Sequence, residues 1–75
     1  MRQNGEEKLL RGLGQRIRRL RQAKGWSQEA LAQVCGMRRE YIADVERGVR
    51  NITVMSLRRI GKGLGVGAAL LLREV

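Results

Sequence analysis

The 75-residue sequence predicts an all-α domain of five helices. Three observations carry this. Apolar residues recur at helical spacing: Leu13, Ile17 and Leu20 at i, i+4 and i+7, then Leu57, Ile60 and Leu64 at i, i+3 and i+7. Glycines stand where helices should stop, at Gly25, Gly36 and Gly48, because glycine adopts the left-handed conformation of a C′ residue at little cost. Proline and phenylalanine are absent, and no strand-like alternation runs longer than a few residues.

Residues 1–12 are polar and glycine-broken. They read as a flexible N-terminal tail, with room for a helical stretch from Glu6 to Arg11. A single domain is expected over residues 13–75. Its first helix carries the Leu13 stripe inward and Arg16, Arg18, Arg19 and Arg21 on its other faces. Ser27 is placed to cap the second helix, with Glu29 in the first turn where the dipole favours an acid. Trp26 can pack on Leu31 as a hydrophobic staple, a better fit than stacking on a base. This helix should end near Val34.

The third helix should start near Arg38 or Arg39 and end at Arg47, with Gly48 as its stop. Tyr41, Ile42 and Val45 form its inner face. Arg38 is a poor N-cap, which points to contact with a ligand as its reason for being there. Thr53 caps the fourth helix. Gly61 and Gly63 inside that helix cost about 1 kcal/mol each against alanine, so close packing is expected there. Val66 is a core residue, and Gly67 opens a short fifth helix. Its run from Ala68 to Leu72 is apolar all round. One face can enter the core, and the remainder is an exposed apolar patch that calls for a partner.

The run Gln28 to Val45, QEALAQVCGMRREYIADV, is the most specific feature. Ala32 lies one turn after Gln28, where two crossing helices leave no room for a larger side chain. Gly36 follows at the break. Leu31, Cys35, Met37, Ile42 and Val45 are spaced to lock the two helices together. This is the pattern of a helix-turn-helix, whose second helix enters the major groove of DNA.

Charge agrees with that partner. Sixteen Lys and Arg against seven Asp and Glu give a net +9, and arginine supplies 13 of the 16 cations. Its planar fork suits phosphate and guanine. A lone cysteine excludes an intrachain disulfide, and the absence of histidine argues against a zinc site. No cofactor or small-molecule ligand is expected. No apolar run is long enough to span a membrane, and no apolar stretch follows the N-terminal charges as in a signal peptide. A cytoplasmic protein is expected. Catalysis is not: there are no clustered carboxylates, no Cys–His pair and no phosphate loop, since the alternating glycines from Gly61 to Gly67 follow no strand. Cys35 reads as a core thiol rather than a redox switch.

The segments LGQRIRRLRQAKGWSQEALA, CGMRREYIADVERGVRN and SLRRIGKGLGV resemble the lambda-repressor-like, or XRE/Cro-type, helix-turn-helix family from Leu13 to Leu72. The resemblance implies a compact five-helix domain that binds operator DNA, usually as a dimer. YIADVERGVRNITVMSL is similar to the controller proteins of restriction–modification systems, including Arg50-Asn51 followed by an aliphatic residue. Phage and antitoxin repressors share most of this pattern, and some domains of the fold bind proteins instead. Arg38 and Gly67 stand where the family has serine caps, and Glu40 where it has Ser or Thr.

A DNA site follows from these positions. Gln28 at a helix N-terminus can bond a phosphate, a role the family gives this position. Arg38, Arg39 and Glu40 open the recognition helix. The Arg39 fork fits guanine O6 and N7. Two roles fit Glu40: acceptor for cytosine N4, or partner of a neighbouring arginine. Tyr41 can offer its hydroxyl to phosphate while its ring packs inside. Arg47, Arg50 and Asn51 are assigned to DNA. Glu46 is acidic near a helix C-terminus and needs a partner, for which Arg16 and Arg19 are candidates. Most of the arginines of the first helix read as solvated. Leu70 and Leu72, with Leu71 as the alternate, are expected to cross a homodimer interface. By resemblance to activators of the family, Glu29 is a candidate contact for RNA polymerase.

Overall fold

The computed structural model describes residues 4–73. They form α1 (Asn4–Ala23), α2 (Gln28–Cys35), α3 (Arg39–Arg47), α4 (Val54–Leu64) and α5 (Ala68–Leu72), with no strand among the described residues. The ends follow local chemistry. The Ser27 hydroxyl accepts from the Ala30 N–H and the Thr53 hydroxyl from the Ser56 N–H, each at 3.0 Å. Gly36 and Gly48 close α2 and α3 at φ +69° and +74°. Arg38 occupies the N-cap of α3 and makes no side-chain capping bond there.

Every helix contributes to one core. Leu13 and Ile17 come from α1, Leu31, Ala32 and Cys35 from α2, and Ile42 and Val45 from α3. Leu57, Ile60 and Leu64 come from α4, and Leu71 from α5. Trp26, Met37, Tyr41 and Val66 pack half-buried around them. Small residues bring the backbones together. A Cβ on Gly63 would lie 2.7 Å from Cys35 Sγ, so α2 and α4 touch where the glycines anticipate close packing. Burial pushes the Cys35 thiol up, while Arg59 nearby pulls it the other way.

The N-terminal segment differs from expectation. Residues 1–3 lie outside the described residues; the helical stretch considered from Glu6 to Arg11 is present, but in place of a flexible tail residues 4–12 are all helical and continuous with the rest of α1. The reason lies in packing that spacing along the chain does not reveal. A Cβ on Gly14 would collide with the carbonyl oxygens of Val45 and Glu46, and one on Gly48 would meet the Arg11 backbone. Gly14 and Gly48 therefore let α1 lie directly on the end of α3.

The fifth helix also sorts its leucines. Leu71 is fully buried, so it cannot serve as the alternate interface residue. Leu70 and Leu72 remain exposed at 37% and 43%. Arg16 holds this helix from α1, donating to the carbonyl oxygens of Leu70 at 2.6 Å and Arg73 at 2.8 Å.

Candidate nucleic-acid interface

The interface is built on the start of α3. Arg38, Arg39 and Glu40 are all exposed, and none makes an ion pair or side-chain hydrogen bond among the described residues. The internal arginine pair considered for Glu40 is therefore not formed. Ile42 and Val45 are buried and anchor α3, while Arg38, Arg39 and Glu40 at its N-terminal end are exposed.

Arg50 leaves the loop after α3 and folds back. Its guanidinium lies 4.7 Å from the centroid of the Tyr41 ring and 3.4 Å from Asp44 Oδ2. Arg47 donates to Asp44 Oδ1. Tyr41 and Asp44 are half-buried, and Asn51 is exposed. A cleft between α3 and α4 is lined by Arg38, Glu40, Tyr41, Arg50 and Arg59. Arg59 donates to the Gly36 carbonyl oxygen at 2.8 Å and so ties α4 to the turn between the two helices.

Beneath this surface lies a buried ion pair. Arg21 Nε and Nη2 reach Glu46 Oε2 and Oε1 at 2.7 and 3.0 Å, and Nη1 reaches the Trp26 carbonyl oxygen at 2.7 Å. The partner of Glu46 is thus Arg21, not Arg16 or Arg19. Arg16 is occupied by the end of α5, and the packing of α1 against α3 brings Arg21 to Glu46. The hydrogen-bonded carboxylate holds the Arg21 guanidinium above its ordinary value despite desolvation, which acts the other way.

Gln28 joins the same network. Its Nε2 donates to Glu46 Oε1 at 3.0 Å, so its amide is oriented by the ion pair rather than left free. A second cleft at this point is lined by Arg11, Arg18 and Arg47 with Gln15, Gln28 and Glu46. Because Glu46 is already matched by Arg21, the surplus charge of this cleft is cationic.

The structure therefore gathers Arg38, Glu40, Tyr41 and Arg50 around one cleft and Gln28 and Arg47 around the other, with Arg39 exposed outside both and Asn51 exposed on the loop beyond α3. Sequence reasoning missed Arg21, Asp44 and Arg59. Asp44 had a local signal, its i,i+3 spacing to Arg47. Arg21 and Arg59 act across 25 and 23 residues, and nothing local singles them out.

Comparison with known proteins bears on this geometry. A helix-turn-helix family model, HTH_3, matches residues 17–71. The control protein C.BamHI of Bacillus amyloliquefaciens is 46% identical over 54 residues, which cover 71% of this chain and 67% of that protein. A hypothetical transcription factor of Neisseria meningitidis is 42% identical over 67 residues, 89% of this chain and 63% of that one. The chain thus spans about two thirds of these curated relatives, 67% and 63% of their lengths. Among solved structures, the restriction–modification controller protein C.AhdI of Aeromonas hydrophila superposes with a TM-score of 0.81 at 42% identity, covering 83% of this chain and 94% of its own. These relatives are regulators rather than enzymes. A matching family model over most of the chain, the same helix-turn-helix fold and a third helix that opens on two exposed arginines together mean that this chain belongs to the HTH_3 helix-turn-helix family and is a DNA-binding transcriptional regulator.

Proposed function

We propose that the protein acts as a homodimer on an inverted-repeat operator and serves as a restriction–modification controller protein. The observation that carries the reading is the start of α3, where Arg38, Arg39 and Glu40 stand exposed and unpaired beside Arg50. That end of a recognition helix reaches base edges, and the Arg39 fork matches guanine. Gln28, Tyr41, Arg47, Arg50 and Asn51 would hold the flanking phosphates. The controller role is supported by the likeness to C.BamHI and C.AhdI, whose names describe that role.

The dimer is supported by α5. Leu70 and Leu72 are exposed beside a core that leaves a small domain marginal by itself. A two-fold pair would set its recognition helices roughly 34–36 Å apart, one turn of DNA, which calls for an inverted repeat. Glu29 is exposed at the start of α2, the position assigned to RNA polymerase. No helix among the described residues is long and apolar enough to cross a membrane, which is consistent with the cytoplasmic setting we assign. No small-molecule effector enters this reading.

The test is a duplex titration at several salt concentrations. With roughly 6–10 phosphate contacts per dimer, affinity should fall about 10³–10⁵-fold between 50 and 200 mM salt. Selection from a random library should recover a two-fold symmetric site. A flat salt response, or selected sites without symmetry, would overturn the proposal.

A further inference from the structure

The net charge of +9 raises a problem of selectivity, because a surface this cationic is attracted to any duplex. Asp44 is an acidic group on this surface. It lies on α3 three residues after Tyr41 and four after Glu40, on the same face of the helix. Each of its oxygens holds a different arginine: Oδ1 accepts from Arg47 and Oδ2 from Arg50 at 3.4 Å. The second arginine is held from the other side by the Tyr41 ring at 4.7 Å.

We propose that Asp44 is a specificity-determining residue, an internal substitute for phosphate that occupies Arg47 and Arg50 and so suppresses binding to non-specific duplex. This rests on the reading that both arginines face DNA. The pairs are accessible enough to exchange: the Arg47 and Arg50 side chains are 67% and 47% exposed, and Asp44 is 27% exposed. Exposed pairs of this kind are weak, so a DNA phosphate can take either arginine. After the exchange the Asp44 carboxylate remains, unpaired and facing an anionic backbone. On random DNA nothing offsets that repulsion, so Arg47 and Arg50 stay on Asp44 and make no phosphate contact there. Base contacts from Arg39 and Glu40 offset it only on a matching site. The carboxylate therefore lowers affinity for random DNA while the operator complex still forms.

The experiment compares the wild-type protein with Asp44→Asn on two labelled duplexes of equal length. One carries a site recovered by selection with the wild-type protein, and the other is random. Asn keeps the size of Asp and one acceptor oxygen but removes the charge. Releasing Arg47 and Arg50 adds about two phosphate contacts per protomer, and each contact deepens the loss of affinity between 50 and 200 mM salt by about 3.5-fold. Asp44→Asn should therefore bind random duplex more tightly at 50 mM salt, lose about 10-fold more affinity than wild type per bound protomer between 50 and 200 mM salt, and discriminate less between the two duplexes. Asp44→Ser should behave in the same way, and Asp44→Glu, which keeps the charge, should stay near wild type. Helical content and thermal melting establish that each variant is folded. Unchanged or weaker binding of random duplex by both Asp44→Asn and Asp44→Ser would overturn the role of Asp44 while leaving the DNA-binding reading intact. A wild-type protein that bound neither duplex would overturn both.

Discussion

Replacing Glu46 with Gln tests the network beneath the interface most directly. The carboxylate receives Nε and Nη2 of Arg21 and Nε2 of Gln28, and the two charged side chains are only 10% and 3% exposed. Gln preserves the shape of Glu but leaves the Arg21 guanidinium buried with no counter-charge. Breaking one side of a buried pair costs about 3–5 kcal/mol, most of it the desolvation of the stranded charge. For a domain of this size each kcal/mol lowers Tm by roughly 4–8 °C, so the midpoint should fall by about 12–40 °C. Replacing both partners with apolar residues, Arg21→Met with Glu46→Leu, removes the stranded charge and should be far less damaging than the single change. Arg21 contributes no pH dependence near neutrality. Its folded value is raised above the ordinary one, so its contribution is fully present below the ordinary value and is lost only as pH rises through the folded value, at extreme alkalinity. Thermal melts followed by circular dichroism suffice. A midpoint for Glu46→Gln within about 4 °C of wild type, or a double variant as unstable as the sum of the two singles, would refute the reasoning.

Three further outcomes are expected. Arg39→Ala should cost roughly 1–3 kcal/mol on a selected operator and much less on random DNA; equal losses in a titration would make Arg39 a phosphate contact instead. Leu70→Glu combined with Leu72→Glu should give a monomer by sedimentation and weaken operator binding, whereas an unchanged dimer would move the interface elsewhere. Gly14→Ala should destabilise by at least roughly 1–3 kcal/mol, because the new Cβ meets the Val45 and Glu46 carbonyls, which are backbone and cannot move aside. Melting at the wild-type temperature would contradict that packing.

The boundaries of α2, α3 and α4 were legible in the sequence because they are decided within a few residues. Ser27 and Thr53 bond N–H groups three positions ahead, and Gly36 and Gly48 relieve a left-handed turn at their own positions. The inward stripes of α1, α3 and α4 were equally visible, since a helix of fixed period presents one face wherever it lies. Arg38, Arg39 and Glu40 were identifiable because they open the second helix of the helix-turn-helix pattern, the end that reaches base edges.

The tertiary structure decided what depends on the path of the chain. Thirteen arginines are chemically equivalent in the sequence, and only the approach of α1 to α3 selects Arg21 as the partner of Glu46. The same approach makes Gly14 a contact and carries α1 back to Asn4. In an all-apolar run such as Ala68 to Leu72, periodicity has no polar face to mark, so only docking against the core could bury Leu71 and leave Leu70 and Leu72 outside. Local order comes from bonds between near neighbours, which the sequence states. Pairing between distant residues comes from shape and burial, which exist only once the helices have packed.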